Sequence, residues 1–232
     1  MKRLFLAFLM CIGLVGIASA GPVFNFFDSF NPNTGTMSYN GTTASISGMP
    51  ILGLTVTGAP LHNGSYFIDG PIACAFSPTG TCGQADTTTG AINGTTLNIV
   101  NFGAGGNLTL SGSVDLASGT EVIPFGPIID SGTYANASLN TSTLTLTTSG
   151  VGTDTKDLAF LSYFGITNQT FSFGISANAN APAGYTAPGT FSNASLQGGT
   201  ITNTPEPSAL LLLGTGLLIS GGVLRRKLIK QD

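Results

Sequence analysis

Apolar and polar residues alternate along much of the chain. Leu54 and Val56 alternate with Thr55 and Thr57. Successive side chains of a β-strand point to opposite faces, so this period of two predicts strands with one buried and one solvated face, and Thr suits the solvated one. The pattern recurs in three stretches: Leu108, Leu110, Val114 and Leu116 opposite Thr109, Ser111, Ser113 and Asp115; Leu144 and Leu146 between Thr143, Thr145 and Thr147; and Phe171, Phe173 and Ile175 around Ser172 and Gly174.

Turn signals separate these stretches. Asn40-Gly41, Asn63-Gly64 and Asn93-Gly94 each pair two residues that tolerate the positive φ of a hairpin turn. Residues 157–164 fit either a short helix or a buried strand. Short strands between turns predict an all-β domain, an antiparallel β-sandwich or jelly roll, with a parallel β-helix as the alternative.

A short internal echo accompanies this pattern. Residues 132–139 (GTYANASL) resemble residues 189–196 (GTFSNASL). A solenoid needs several such units, so two strands in similar sheet positions explain the echo equally well. Residues 176–189 are expected to form a surface loop, and residues 197–204 a stalk.

The N-terminal residues 1–20 have the pattern of a secretory signal peptide. Two cations are followed by an apolar segment and then by Ala18-Ser19-Ala20, which predicts cleavage before Gly21. The chain is therefore expected to be exported, with residues 21–203 as its extracytoplasmic domain.

The C-terminal residues 204–232 form a second targeting segment. Pro205-Glu206-Pro207 precedes an uncharged apolar run, residues 208–224, that would span about 25 Å as a transmembrane helix. Arg225, Arg226 and Lys227 begin the basic tail 225–232, which should remain cytoplasmic.

This order of motif, apolar helix and basic tail resembles the PEP-CTERM sorting signal of Gram-negative bacteria. The resemblance implies processing by exosortase, a membrane protease, with residues 205–207 as the recognition motif and residues 225–227 as the stop. It also implies a membrane-anchored precursor and a final place at the cell surface or in an exopolysaccharide biofilm matrix. A plain membrane anchor is the alternative interpretation.

Charge usage in the domain narrows the possible partners. Between residues 21 and 203 there is one cation, Lys156, against eight carboxylates, so the formal charge is −7. One cation cannot neutralise a phosphate backbone, which argues against nucleic acid as a partner. The carboxylates are Asp28, Asp69, Asp86, Asp115, Glu121, Asp130, Asp154 and Asp157.

Candidate chemistry is sparse. Cys74 and Cys82 enclose a Pro-Gly loop, and an exported compartment favours a disulfide between them over metal ligation. No serine in the sequence lies in a nucleophile motif, so His62, the single histidine, has no evident nucleophile to activate. Residues 154–157 are interpreted as a solvated turn rather than a calcium site.

The sequence thus predicts a non-enzymatic surface or matrix protein without catalytic, metal or cofactor residues. Two alternatives stay open. One is a secreted carbohydrate-binding module on a β-sandwich, with Tyr or Phe rings as sugar platforms and the tyrosines substituting for the missing tryptophans. The other is a polysaccharide hydrolase, for which the sequence offers no clear acid pair. The candidate platforms are Tyr39, Tyr66, Tyr134, Tyr163 and Tyr185.

Overall fold

The alternating stretches form the strands of one antiparallel sheet. The computed structural model describes residues 21–28, 35–74, 76–148, 152–167 and 170–205. Its elements are β1 (Val23–Asp28), β2 (Thr36–Tyr39), β3 (Ala44–Thr57), β4 (Gly64–Asp69), β5 (Ile72–Ala73), β6 (Thr81–Thr89), β7 (Ile92–Thr96), β8 (Ile99–Phe102), β9 (Gly105–Asp115), β10 (Glu121–Tyr134), β11 (Ala137–Asn140), β12 (Thr145–Thr147), β13 (Gly152–Lys156), α1 (Leu158–Tyr163), β14 (Thr170–Ala179) and β15 (Phe191–Pro205).

The strand pairings close on themselves. In order around the ring, β1 pairs with β3, then follow β4, β9, β10, β13, β14 and β15, and β15 pairs again with β1. The short strands extend the ring by pairing with other parts of these long strands. For example, β2 pairs with β3 and β15, the same two strands that flank β1. Closure leaves β1 and β15 with a partner on each side, so neither is an exposed edge.

The all-β, antiparallel prediction is confirmed. Neighbours in the ring follow each other along the chain, which is an up-and-down order, and the jelly-roll form of the prediction is not confirmed. Every ladder in the described part of the chain is antiparallel, so the parallel β-helix alternative is wrong.

The interior of the ring is filled by the apolar side of the alternation. All but one of the residues predicted to face inward are buried, whereas the threonines between them are partly or fully exposed. The exception is Leu116, which follows the end of β9 and is exposed. The buried residues are Leu54, Val56, Leu108, Leu110, Val114, Leu144, Leu146, Phe171, Phe173 and Ile175.

The alternation fails at the end of β9. Ser113 and Asp115 are buried, although their parity predicts a solvated face. Ser113 is the register partner of Asp69, the last residue of β4. After Asp69 the chain makes an excursion through the short strand β5 and then returns to the main sheet in β6.

Two of the three predicted Asn-Gly turns lie in connections. Residues 40–43 join β2 to β3, and the Asn40 side chain accepts hydrogen bonds from the backbone N–H groups of Thr42 and Thr43. Asn63-Gly64 opens β4. The third prediction is wrong, because Asn93-Gly94 lies inside β7 at a register shift, and the chain turns instead at Leu97, which has φ of 51°.

The ambiguous segment 157–164 is a helix that packs at one end of the ring. The Asp157 carboxylate caps the helix by accepting hydrogen bonds from the backbone N–H groups of Ala159 and Phe160. These N–H groups lie in the first helical turn and have no carbonyl partner within the helix. The Phe160 and Phe164 rings lie 5.2 and 5.4 Å from the ring of Phe24 on β1. Helix α1 therefore contributes aromatic side chains to the interior.

The internal echo corresponds to two similar strand irregularities. Tyr134 and Phe191 are buried, and three residues later the chain resumes with the buried Ala137 and Ala194. The shared sequence thus encodes a local break in the ladder, followed by a return to the same inward face.

The chain enters and leaves the ring at the same end. Phe24, near the start of β1, is the register partner of Asn203, near the end of β15. The helix packs against this same end through Phe24. The first and the last described residues of the chain therefore lie at the same end of the ring.

Candidate functional site

The sorting motif begins inside the sheet. Strand β15 continues to Pro205, whose register partner is Phe171, and the preceding residue Thr204 faces Ser172. The prediction that residues 197–204 form a stalk is wrong, because this polar, glycine-containing stretch lies between β14 and β1. Likewise, residues 176–179 belong to β14, and the surface connection is 180–190.

The other targeting residues lie outside the described part of the chain. These are Ala18 and Ala20 of the cleavage site, Glu206 and Pro207 of the motif, the apolar run 208–224, and Arg225, Arg226 and Lys227. Gly21, the expected new N-terminus, lies two residues before β1. Within the described ranges, no helix has the length and apolar character needed to cross a membrane.

A buried polar cluster lies just before the motif. The Lys156 ammonium donates to Oδ2 of Asp154 at 2.5 Å, and the Asn203 side-chain amide donates to the same oxygen at 2.9 Å. The side chains of Lys156 and Asp154 are fully buried, and Asn203 has no exposed surface. Asp154 therefore links β13 to β15 across β14.

Aromatic rings surround the cation of this cluster. The Lys156 nitrogen lies 4.6 Å from the centroid of the Phe171 ring and 5.7 Å from that of Phe24. Burial lowers the pKa of Lys156 to about 8, against the opposing effect of the Asp154 charge. Burial also raises the pKa of Asp154, although Lys156 and Asn203 act in the other direction. Both shifts disfavour the charged forms.

The interpretation of residues 154–157 as a solvated turn is wrong. Gly152, Asp154 and Lys156 face inward, and Thr153 and Thr155 face outward. The outward threonines at alternate positions indicate a strand. The charges point the other way, because a charged side chain is rarely buried without a partner, and the sequence does not show that Asn203 lies beside Asp154.

The disulfide prediction agrees with the structure. Cys74 and Cys82 are bonded, with their Cα atoms 5.5 Å apart, and both are buried. The Cys74 N–H also donates to the carbonyl of Gly80 at 2.9 Å. The bond holds the excursion between β4 and β6 in a closed loop.

The aromatic candidates for sugar contact divide into two groups. Tyr39, Tyr66 and Tyr134 are buried in the core, which removes them as platforms, whereas Tyr163 and Tyr185 are half-buried. No sequence pattern distinguishes the buried tyrosines from the half-buried ones.

His62 lies in the β3–β4 connection, as its Asn-Gly neighbours predict. Its ring stacks on that of Tyr163 with centroids 4.3 Å apart, and its carbonyl accepts a hydrogen bond from the Tyr66 hydroxyl. An aromatic ring, rather than an acid–serine pair, is therefore the neighbour of the single histidine.

Acidic residues meet at the end of β9. Burial raises the pKa of Asp115, and the nearby charges of Asp69 and Glu121 add to this effect. Among the described residues, no group of three His, Cys, Asp or Glu side chains is placed to hold a metal ion.

Comparison with known proteins identifies the tail. Residues 203–227 match the PEP-CTERM protein-sorting motif, in agreement with the resemblance found in the sequence. No curated protein and no solved structure matches the chain. The motif marks an exported protein of Gram-negative bacteria that exosortase processes, with membrane anchoring at the C-terminus. The match begins at Asn203, so it overlaps the last three residues of β15.

Proposed function

We propose that this chain is a non-enzymatic structural protein that exosortase delivers to the cell surface or to the exopolysaccharide matrix. The sorting motif supports the route, and the chemistry of the outer face supports the destination. The body would act by cohesion with a hydrated polymer rather than by catalysis.

The carrying observation is that Lys156, the single Lys or Arg between residues 21 and 203, has a fully buried side chain. A body without a surface Lys or Arg cannot bind anionic polymers by direct charge pairing. It suits a neutral, hydroxyl-rich polymer instead.

The outer face supplies the matching chemistry. Hydroxyl pairs lie across neighbouring strands, such as Ser131 with Thr155 at 3.0 Å and Thr133 with Thr153 at 3.2 Å. These groups are exposed, and each hydroxyl can donate and accept. A polysaccharide presents the same kind of group, so the two surfaces can exchange water-mediated hydrogen bonds.

The ring geometry also fits an anchored precursor. Residue 205 leaves the ring at the end where α1 packs, and this end carries the exposed Leu61 and Leu158, which are 51% and 67% accessible. The Leu61 N–H donates to the Phe164 carbonyl, which places both leucines near the chain exit. These two leucines offer exposed apolar surface close to the residue from which the sorting tail continues.

Cell fractionation tests the proposal. The exported protein should be found in the extracellular polymer fraction of the producing bacterium and should cosediment with that polymer after purification. A preparation of the same protein unfolded by heat and reduction is the control for nonspecific trapping. Recovery in the periplasm alone would overturn the surface placement.

Activity assays test the non-enzymatic part. Incubation of the purified protein with the polymer should release no reducing ends above the level of the unfolded control. Release that depends on the folded protein would instead establish the hydrolase alternative.

The stacked pair of His62 and Tyr163 favours carbohydrate binding as the second candidate. Tyr163 is half-buried beside the exposed His62, so the pair offers partly accessible ring surface. Tyr163→Ala should weaken cosedimentation if these rings bind sugar, whereas the control Phe125→Ala, at a ring 60% exposed on β10, should not. Equal binding by both variants would remove this candidate.

A further inference from the structure

We propose that Lys156 and Asn203 become joined by an intramolecular amide bond between Nζ and Cγ, with Asp154 moving the protons. Such a bond would covalently tie β13 to β15 within the closed ring. It would do so two residues before the first proline of the sorting motif.

The three side chains already meet at one atom. Oδ2 of Asp154 lies 2.5 Å from the Lys156 nitrogen and 2.9 Å from the Asn203 amide nitrogen. The sum of these distances, 5.4 Å, is the largest separation that the two nitrogens can have. The attacked carbon, Cγ of Asn203, is bonded to the second of these nitrogens, so a shift of about 3 Å or less would bring it to the roughly 3–3.5 Å from Nζ at which reacting atoms attack. Both groups are already held in one buried contact, so little further entropy is lost in the approach.

The surroundings favour a neutral amine, which is the reactive form. Lys156 lies among the rings of Phe171 and Phe24 and has no exposed side-chain surface. Its pKa, lowered by burial to about 8, increases the neutral fraction near physiological pH. Burial raises the pKa of Asp154, which makes its carboxylate a better proton acceptor.

The reaction balances without any further reagent. The Lys156 ammonium gives one proton to the Asp154 carboxylate, and the neutral Nζ attacks Cγ of Asn203. The Nζ–Cγ bond forms, the Cγ–Nδ2 bond breaks, and Nδ2 leaves as ammonia with a second proton that comes from Nζ through Asp154. Asp154 ends as the neutral acid, and no oxidation or reduction occurs.

The product removes the electrostatic cost of the cluster. Both buried charges disappear, so neither is held away from water. Oδ1 of Asn203 is buried and has no hydrogen-bond partner among the described residues. The protonated Asp154 can donate to this oxygen in the product, which satisfies a group that is costly to leave unpaired.

The bond would strengthen the strand from which the sorting tail continues in the unprocessed precursor. A pull on the tail acts directly on β15, because Pro205 is its last residue. Strand β15 could then separate from the ring only by breaking a covalent bond. This role does not depend on which polymer the body contacts.

Trypsin gives a direct test, because it cuts only after Lys or Arg with a free side chain. Lys156 is the single such residue from Gly21 to Pro205. The purified exported protein should be reduced, unfolded and digested. We expect no cleavage after Lys156 and an intact mass lower by one ammonia than the mass calculated for the processed, reduced chain from its sequenced termini. Cleavage after Lys156 together with an unchanged mass would overturn the proposal.

The position of the bond needs its own measurement. Chymotryptic peptides of the wild-type protein should include one that joins the segments containing Lys156 and Asn203, sequenced by tandem mass spectrometry. Asn203→Ala should be cut after Lys156, whereas Asn178→Ala, at a half-buried asparagine on β14, should remain resistant. Continued resistance of Asn203→Ala would show a different modification of Lys156 and would overturn the assignment.

Discussion

Pro205 lies opposite Phe171 in the ladder between β14 and β15, although it is also the first residue of the sorting motif. The exported domain and its processing signal therefore share a residue. A protease that binds its substrate as an extended strand would compete with the sheet for this end of β15.

A spacer between domain and motif should relieve this competition. Insertion of Gly-Ser-Gly-Ser between Thr204 and Pro205 is expected to speed the conversion of precursor to processed protein, because the motif would no longer require β15 to open. Pulse-chase labelling measures the rate. The same insertion after Ala183, in the connection 180–190, is the control and should leave the rate unchanged. An unchanged or slower rate with the spacer would contradict the prediction.

Glu206 should be needed for processing but not for export. Glu206→Ala removes the single carboxylate between the two prolines, so full-length, membrane-bound protein is expected to accumulate. Intact mass shows whether residues 208–232 are retained. Thr204→Ala, a neighbouring exposed position, should be processed normally. If the wild-type chain also keeps Asp232 when the protease is present, the tail is a plain anchor.

Phe24 should be among the positions most sensitive to truncation. Its ring packs against those of Phe160, Phe164 and Phe171 and has no exposed surface. Phe24→Ala is expected to lower the free energy of unfolding by about 3–5 kcal/mol, because the surrounding strands and helix can close only partly around the cavity that the lost side chain leaves. Urea unfolding followed by circular dichroism measures this. Phe125→Ala, at an exposed ring, should change it by less than about 0.5 kcal/mol; equal losses would refute the packing argument.

The disulfide should stabilise the domain by restricting its unfolded state. Replacing both Cys74 and Cys82 by Ala is expected to cost about 2–3 kcal/mol in the free energy of unfolding. Thr79→Ala, within the same loop, is the control for local changes. The native exported protein should show no free thiol from these two residues, and a positive thiol assay would count against the bond.

Tyr134 should make stability fall at alkaline pH. Burial raises the pKa of its hydroxyl, which is hydrogen-bonded to Thr87. The stabilisation is complete below the ordinary pKa of about 10 and is lost above it, because the unfolded chain then releases a proton that the folded chain keeps. Tyr134→Phe should therefore give a shallower decrease in urea midpoint between about pH 10 and 12. Tyr185→Phe, a half-buried tyrosine in the 180–190 connection, is the control. An identical pH profile for Tyr134→Phe and wild type would refute the assignment.

The sequence alone determined the class of fold and the sorting route. Alternation at Leu108 and Leu110 or Phe171 and Phe173 is local, and any sheet that buries one face must place these residues inward. The sorting tail is likewise readable in order along the chain, because its parts act through composition and spacing. Helix α1 could not be separated from a strand, since one short apolar run satisfies both patterns.

Only the tertiary structure decided which strands meet. Lys156 and Asn203 are far apart in sequence, and they share an oxygen of Asp154 because β13 and β15 flank β14. The burial of Tyr134 and the pairing of Pro205 likewise depend on which strands pair. Strand pairing and register are set by non-local contacts, which local propensity does not encode; the charges of Asp154 and Lys156 would be solvated on an open strand and are buried in a closed ring.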